Sequence, residues 1–153
     1  MIWLALIIAA ILTETLIKNW AEHNLQKGTV REILNGKIIL RKFHNPGFLF
    51  QKGEKYPWLV KLIPFIILFP VALIYGLILR KPGKVIQKLG GALLIGGGVS
   101  NLADRWFKGY VTDYFSFNVK YKKIKRIVFN LADIFIILGS IFICLGELFN
   151  FKK

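Results

Sequence analysis

Four apolar stretches divide this 153-residue chain, and nearly all of its Lys and Arg lie between or after them. Met1 to Ile17, Trp58 to Leu79, Val85 to Ala103 and Ile127 to Phe149 are the stretches. Each is about long enough, at ~1.5 Å of rise per residue, to cross a ~30 Å hydrocarbon core as a helix. The chain is 55% apolar yet carries a formal charge of +14. That combination is a membrane signature when the two properties are segregated along the sequence. The fold class expected is membrane all-α, a four-transmembrane-helix bundle. It forms a single membrane-embedded domain over residues 1–153, with spans at about 1–17, 58–79, 85–103 and 127–149.

The first stretch lacks the basic n-region of a signal peptide, and Glu14 interrupts it where an h-region would still be running. Trp3 and Trp20 bracket it as interfacial anchors do, so it reads as a retained span. The single cysteine, Cys144, rules out an intrachain disulfide. The positive charges flank the spans instead of gathering on one folded surface. Lys120, Lys122, Lys123, Lys125 and Arg126 stand just before the last span, where anionic head groups would meet them. Anionic membrane lipids are therefore the expected partner, and nucleic acid is not.

In the first long connection, Val30 to Leu34 and Lys37 to Leu40 are β-prone runs joined by Asn35-Gly36, which suits a type I′ turn and a small β-hairpin. It continues into HNPGFLF, His44 to Phe50. Pro64 and Pro70 would kink the second span unless neighbours re-satisfy the freed carbonyls. The third carries Gly90, Gly91, Gly96, Gly97 and Gly98, small residues that let helices approach closely in lipid. No internal repeat or low-complexity tract stands out.

Acidic groups near a bilayer are costly, which makes the few present informative. Glu14, Asp104, Asp113 and Asp133 fall near the same ends of three spans. Glu14 and Lys18 have the i, i+4 spacing of a helix-surface ion pair, and Asp104 and Arg105 suit an interhelical polar network. A structural role covers Glu14, Lys18 and Asp104 in this way. It fits Asp113 and Asp133 less well. Asp133 lies about two turns into the fourth apolar stretch, with no basic residue within a turn, so a second carboxyl sharing one proton is its least costly partner.

Two carboxyls sharing a proton are the working parts of an aspartic peptidase, which needs no metal and no cofactor. Other chemistries are poorly supplied. His23 and His44 have no second ligand at metal-binding spacing, Cys144 is far from both, and no nucleophile elbow surrounds a serine.

At these residues the chain resembles the lipoprotein signal peptidase (signal peptidase II) family. ETLIK, HNPGFLF, GGGVSNLADRWFKGYVTDYFSF and FNLADIFIILGS are similar to its motifs, in order and across nearly the full length. The resemblance implies Asp113 and Asp133 as the catalytic pair. It implies Asn45, Asn101, Arg105 and Asn130 around the substrate, and Glu14, Lys18, Gly47, Gly97 and Asp104 as supporting residues. The reaction implied is endopeptidase cleavage of diacylglyceryl-modified prolipoproteins just before the lipidated cysteine. The hairpin would form a cradle on the membrane face, the segment before Asp113 would cover the site, and Phe43, Phe48, Phe50, Trp106 and Phe107 would line these pieces.

Glu14 stands where the family pattern has Asp, and Ser100 where it has Gly. An altered-specificity or non-catalytic relative, binding lipoproteins or serving transport or assembly, is the alternative. The two large connections hold most of the Lys and Arg, so a positive-inside count puts them in the cytoplasm. The resemblance implies the reverse, an extracytoplasmic site in the bacterial inner membrane, and the expectation follows it. A monomer is expected.

Overall fold

The computed structural model describes residues 1–47 and 55–150. Phe48 and Phe50 of the HNPGFLF turn lie outside the described residues. The elements in order are α1 (Ile2–Asn24), β1 (Arg31–Ile33), β2 (Ile38–Asn45), α2 (Pro57–Arg80), α3 (Val85–Phe107), β3 (Val111–Phe117), the short α4 (Lys122–Lys125) and α5 (Leu131–Asn150). Ile2–Asn24, Pro57–Arg80 and Leu131–Phe149 are long and apolar enough to cross a membrane, which makes this a mostly helical, multi-pass membrane protein. Helix α3 is of similar length, but its glycines and its polar residues, Gln87, Lys88, Asn101 and Asp104, dilute its apolar content.

That composition follows from where α3 sits. It is the central helix, packed against α1, α2 and α5. Gly90 and Gly139 face each other so closely that a Cβ on the first would stand 2.6 Å from the carbonyl oxygen of the second. Gly96 gives similar clearance to Ala10 of α1, at 2.8 Å. In lipid, close packing and interhelical hydrogen bonds replace the hydrophobic effect as the source of helix association. Helix α2 is the opposite case. Only Val60 and Tyr75 are buried, Phe65, Phe69 and Leu73 point outward, and the helix runs through Pro64 and Pro70 without a break. The Tyr75 hydroxyl fastens it to α3 by donating to the Lys88 carbonyl at 2.9 Å.

The sheet is three-stranded and antiparallel, in the order β1-β2-β3. At the hairpin tip Asn35 and Gly36 adopt φ of 55° and 77°, and the Lys37 N–H donates to the Leu34 carbonyl at 3.2 Å. That is the geometry of a type I′ turn. The third strand was not anticipated, because VTDYFSF is buried on both faces for most of its length and shows no alternation of polarity.

A β-bulge interrupts β2. Leu40 stands opposite Phe115, but Phe43 stands opposite Asp113, so Arg41 and Lys42 together oppose one residue of β3. Beyond the bulge, Phe43 and Asn45 share a face with Asp113 and Val111. His44 and Thr112 take the other face, where both reach the Glu22 carboxylate of α1, at 2.8 Å.

Candidate active site

Asp133 lies in the first turn of α5, not about two turns inside a helix. The residues before it are held off the helical path by β3: Phe129 and Phe115 bridge, with the Phe129 N–H donating to the Phe115 carbonyl at 2.6 Å. Helix α5 therefore starts late, and Asn130 caps it. The Asp133 N–H donates to Asn130 Oδ1 at 2.9 Å, and the Asn130 N–H donates to Asp133 Oδ2 at 3.1 Å. This reciprocal arrangement satisfies donors that a helix start otherwise leaves open. The other Asp133 oxygen accepts from Asn101 Nδ2 of α3 at 2.9 Å.

Asp113 comes from β3 and is 2% exposed. Asn130 Nδ2 donates to its Oδ1 at 2.7 Å, and Asn45 Nδ2 to its Oδ2 at 3.0 Å. Asn130, fully buried, is thus bonded to both carboxyl groups. Burial, and next the negative charge of Asp133, push the Asp113 pKa up to about 7, against the two amide donors that favour the charged form. Asp113 and Asp133 line one cavity of about 260 Å³ with Asn45, Asn101 and Arg105. Two carboxyls lining one cavity, with the pKa of one raised toward neutral pH, can act as a general acid–base pair.

Arg105 reaches this cavity from the last turns of α3 and donates to the Gly47 carbonyl at 3.3 Å. The Gly47 N–H in turn donates to Asn45 Oδ1 at 3.1 Å, which leaves the Asn45 amide nitrogen facing Asp113. Gly97 lies where α3 meets the start of α5. A Cβ there would stand 2.5 Å from the Ala132 carbonyl oxygen, so the glycine sets how near Asp133 comes to Asn101.

Glu14 and Asp104 do not line the cavity with the other two acids. They flank Lys18, which is 2% exposed and lies 3.5 Å from Glu14 Oε1 and 2.9 Å from Asp104 Oδ2. Lys18 Nζ also donates to Asn101 Oδ1 at 2.9 Å. That bond fixes which end of the Asn101 amide turns toward Asp133. Asp104 additionally accepts from the Thr112 N–H at the start of β3. Trp106 and Phe107 are exposed at the end of α3.

Sequence reasoning overlooked Tyr114. Its hydroxyl donates to Glu14 Oε2 at 2.9 Å and accepts from the Leu131 N–H at 2.9 Å, tying α1 to the first residue of α5. Its neighbours in VTDYFSF gave no signal, since a tyrosine in a β-prone run is ordinarily a packing residue. Glu22 was also passed over. Its partners Lys42, His44 and Thr112 come from other elements and no spacing links them to it.

The family model described as signal peptidase (SPase) II matches residues 6–149. A lipoprotein signal peptidase of Clostridioides difficile (strain 630) is 34% identical over 155 residues, covering 100% of this chain and 99% of its own length. Another, of Lactiplantibacillus plantarum, is 32% identical over 148 residues, covering 96% of this chain and 94% of its own. Among solved structures, a bacterial membrane enzyme determined by the in meso method at 2.3 Å shares the fold, with a TM-score of 0.80 and 18% identity over 95% of this chain and 87% of that one. Full-length matches at this level, together with the described fold, show that the chain belongs to the signal peptidase II family.

Proposed function

We propose that this protein is a membrane aspartic endopeptidase that removes the signal peptide from diacylglyceryl-modified prolipoproteins, cleaving just before the lipidated cysteine. The observation that carries the reading is the pairing of Asp113 and Asp133 on one cavity, each held by its own asparagine amide, Asn45 or Asn101, and both bonded to Asn130. In this mechanism the ionised carboxyl takes a proton from water as the water oxygen attacks the scissile carbonyl. The protonated carboxyl donates to the carbonyl oxygen. Collapse of the tetrahedral species expels the amine, which takes a proton from the pair. Arg105 and the Asn amides hold the peptide backbone where water is scarce.

An apolar cavity of about 410 Å³ between α2, α3 and α5 shares Asn101, Arg105, Asp133 and Ile136 with the site. Its Ile63, Ile67, Leu68 and Leu94 suit a signal helix or acyl chains. A fourth span at α3 completes the bundle. A helix enclosed by three others meets little lipid and does not need an apolar surface all round. The chain works as a monomer, since one copy supplies every group named, in the bacterial cell membrane with the site on the extracytoplasmic side. Anionic lipids meet the basic segment Lys120 to Arg126.

The test is incubation of purified protein with a diacylated lipobox peptide beside Asp113→Asn and Asp133→Asn. Wild type cleaves before the lipidated cysteine and neither variant does. Cleavage by both variants at the wild-type rate overturns the assignment.

A further inference from the structure

A third cavity, of about 510 Å³, adjoins the catalytic one and shares Asn45, Ile127 and Val128 with it. Its wall carries Arg41, Lys42 and Arg126 and no acidic side chain. The two bulge residues of β2 are Arg41 and Lys42, so the irregularity that brings Asn45 to Asp113 also brings these cations here. Lys42 is compensated by Glu22, 3.8 Å away. Among the described residues, neither Arg41 nor Arg126 has a carboxylate partner. Arg41 donates through one terminal nitrogen to the Lys125 carbonyl at 2.8 Å, while its Nε is buried without a partner. A partly desolvated guanidinium gains most from an anion that restores its bonds, and a carboxylate matches its fork.

The surroundings say which anion. The catalytic cavity shares Asn101, Arg105, Asp133 and Ile136 with the apolar cavity among the helices, and a different set, Asn45, Ile127 and Val128, with this basic one beside the sheet. A peptide whose apolar signal segment occupies the first leaves the carboxyl pair through the second. We propose that Arg41 and Arg126 form a subsite for an acidic side chain, Asp or Glu, within the first few residues after the cleaved bond, and so set substrate preference. This rests on the peptidase reading above.

The experiment compares diacylated lipobox peptides that differ only in carrying Asp, Asn or Lys just after the lipidated cysteine. Cleavage of the Asn peptide tests the peptidase reading by itself. The subsite predicts a kcat/KM about tenfold higher for the Asp peptide than for the Asn peptide, and lower still for Lys, carried mainly by KM. Arg126→Gln, which removes no hydrogen bond of the described structure, brings the Asp-to-Asn ratio close to one. Arg126→Glu inverts the order in favour of Lys. Arg41→Gln is read the same way where its melting temperature matches wild type. Equal kcat/KM for all three peptides, or a preference that survives Arg126→Gln, overturns the proposal. So does a loss in that variant that is equal for all peptides and scales with the anionic lipid content of the vesicles, which assigns the pocket to a head group.

Discussion

Asn130 and Asp133 hold each other, the N–H of each donating to a side-chain oxygen of the other at 3.1 and 2.9 Å. The same asparagine sends its amide nitrogen to Asp113 at 2.7 Å. Helix capping and alignment of the two carboxyls are therefore one structure. Substituting Asn130 separates them. Asn130→Ser keeps a capping acceptor for the Asp133 N–H but loses the donor to Asp113, so it melts nearer to wild type than Asn130→Ala and cleaves poorly. Asn130→Ala loses both, and is destabilised by about 1–2 kcal/mol as well. Thermal unfolding in detergent beside peptide cleavage checks this; full activity of the Ser variant would count against the role given to the amide.

Lys18 is the single cation between two buried acids and the only described donor that fixes Asn101 from behind. Replacing it with Met leaves buried Glu14 without a cation and Asp104 with Lys108 alone, 2.8 Å away. Breaking a buried pair in this way costs about 3–5 kcal/mol. Lys18→Met should yield little folded protein. The triple variant with Glu14→Gln and Asp104→Asn should recover melting temperature but stay slow, since Asn101 is still free to turn. Recovery of both melting and rate would show that Asn101 needs no anchor.

The pKa of Asp113, raised from 3.8 to about 7, sets two pH dependences. The folded carboxyl binds its proton more tightly than the unfolded one, so between pH 3.8 and about 7 the folded state holds more protons. Its contribution to stability is largest at the acid end of that window, is lost as pH rises through it, and is level above. Asp113→Asn, which cannot ionise, should melt higher than wild type at pH 8 and lose this slope. Cleavage by wild type should fall as pH passes about 7 and the shared proton leaves. Melting curves of the two proteins and the pH–rate profile of wild type test these statements.

Gly97→Ala places a methyl 2.5 Å from the Ala132 carbonyl oxygen and 3.1 Å from Ile136 Cγ1. The atom met first is backbone, so α5 must move. A loss of about 1–3 kcal/mol is expected from overpacking, with cleavage reduced further because Asn101 and Asp133 are drawn apart. Gly76→Ala, with nothing near its Cβ, is the control and should change neither melting temperature nor rate.

Much of the fold was legible because membrane helices announce themselves by length and apolarity, and an Asn-Gly pair by its backbone preference. The candidate site was legible as a set of polar residues too costly to be idle near lipid. The face each residue takes was not. Ile38 and Leu40 set an alternation that, carried on, would put Lys42 and His44 beside Asp113; the bulge moves Phe43 and Asn45 there instead. A bulge depends on what the neighbouring strand offers, and β3 comes from the other side of α2 and α3 in the chain.

One tetrapeptide separates the two kinds of information. Asn-Leu-Ala-Asp occurs at 101–104 and again at 130–133. By itself it has the spacing of a capping box, and nothing local distinguishes the copies. The first lies inside α3, with Asn101 and Asp104 both turned to Lys18. The second opens α5, because β3 holds Phe129 extended and the helix can begin only after it. Sequence alone determined that long apolar helices with a few buried polar groups would form, since chain length and side-chain hydropathy are local properties. Which copy continues a helix and which starts one was decided by hydrogen bonds from a strand many residues away, and only the packed molecule brings those together.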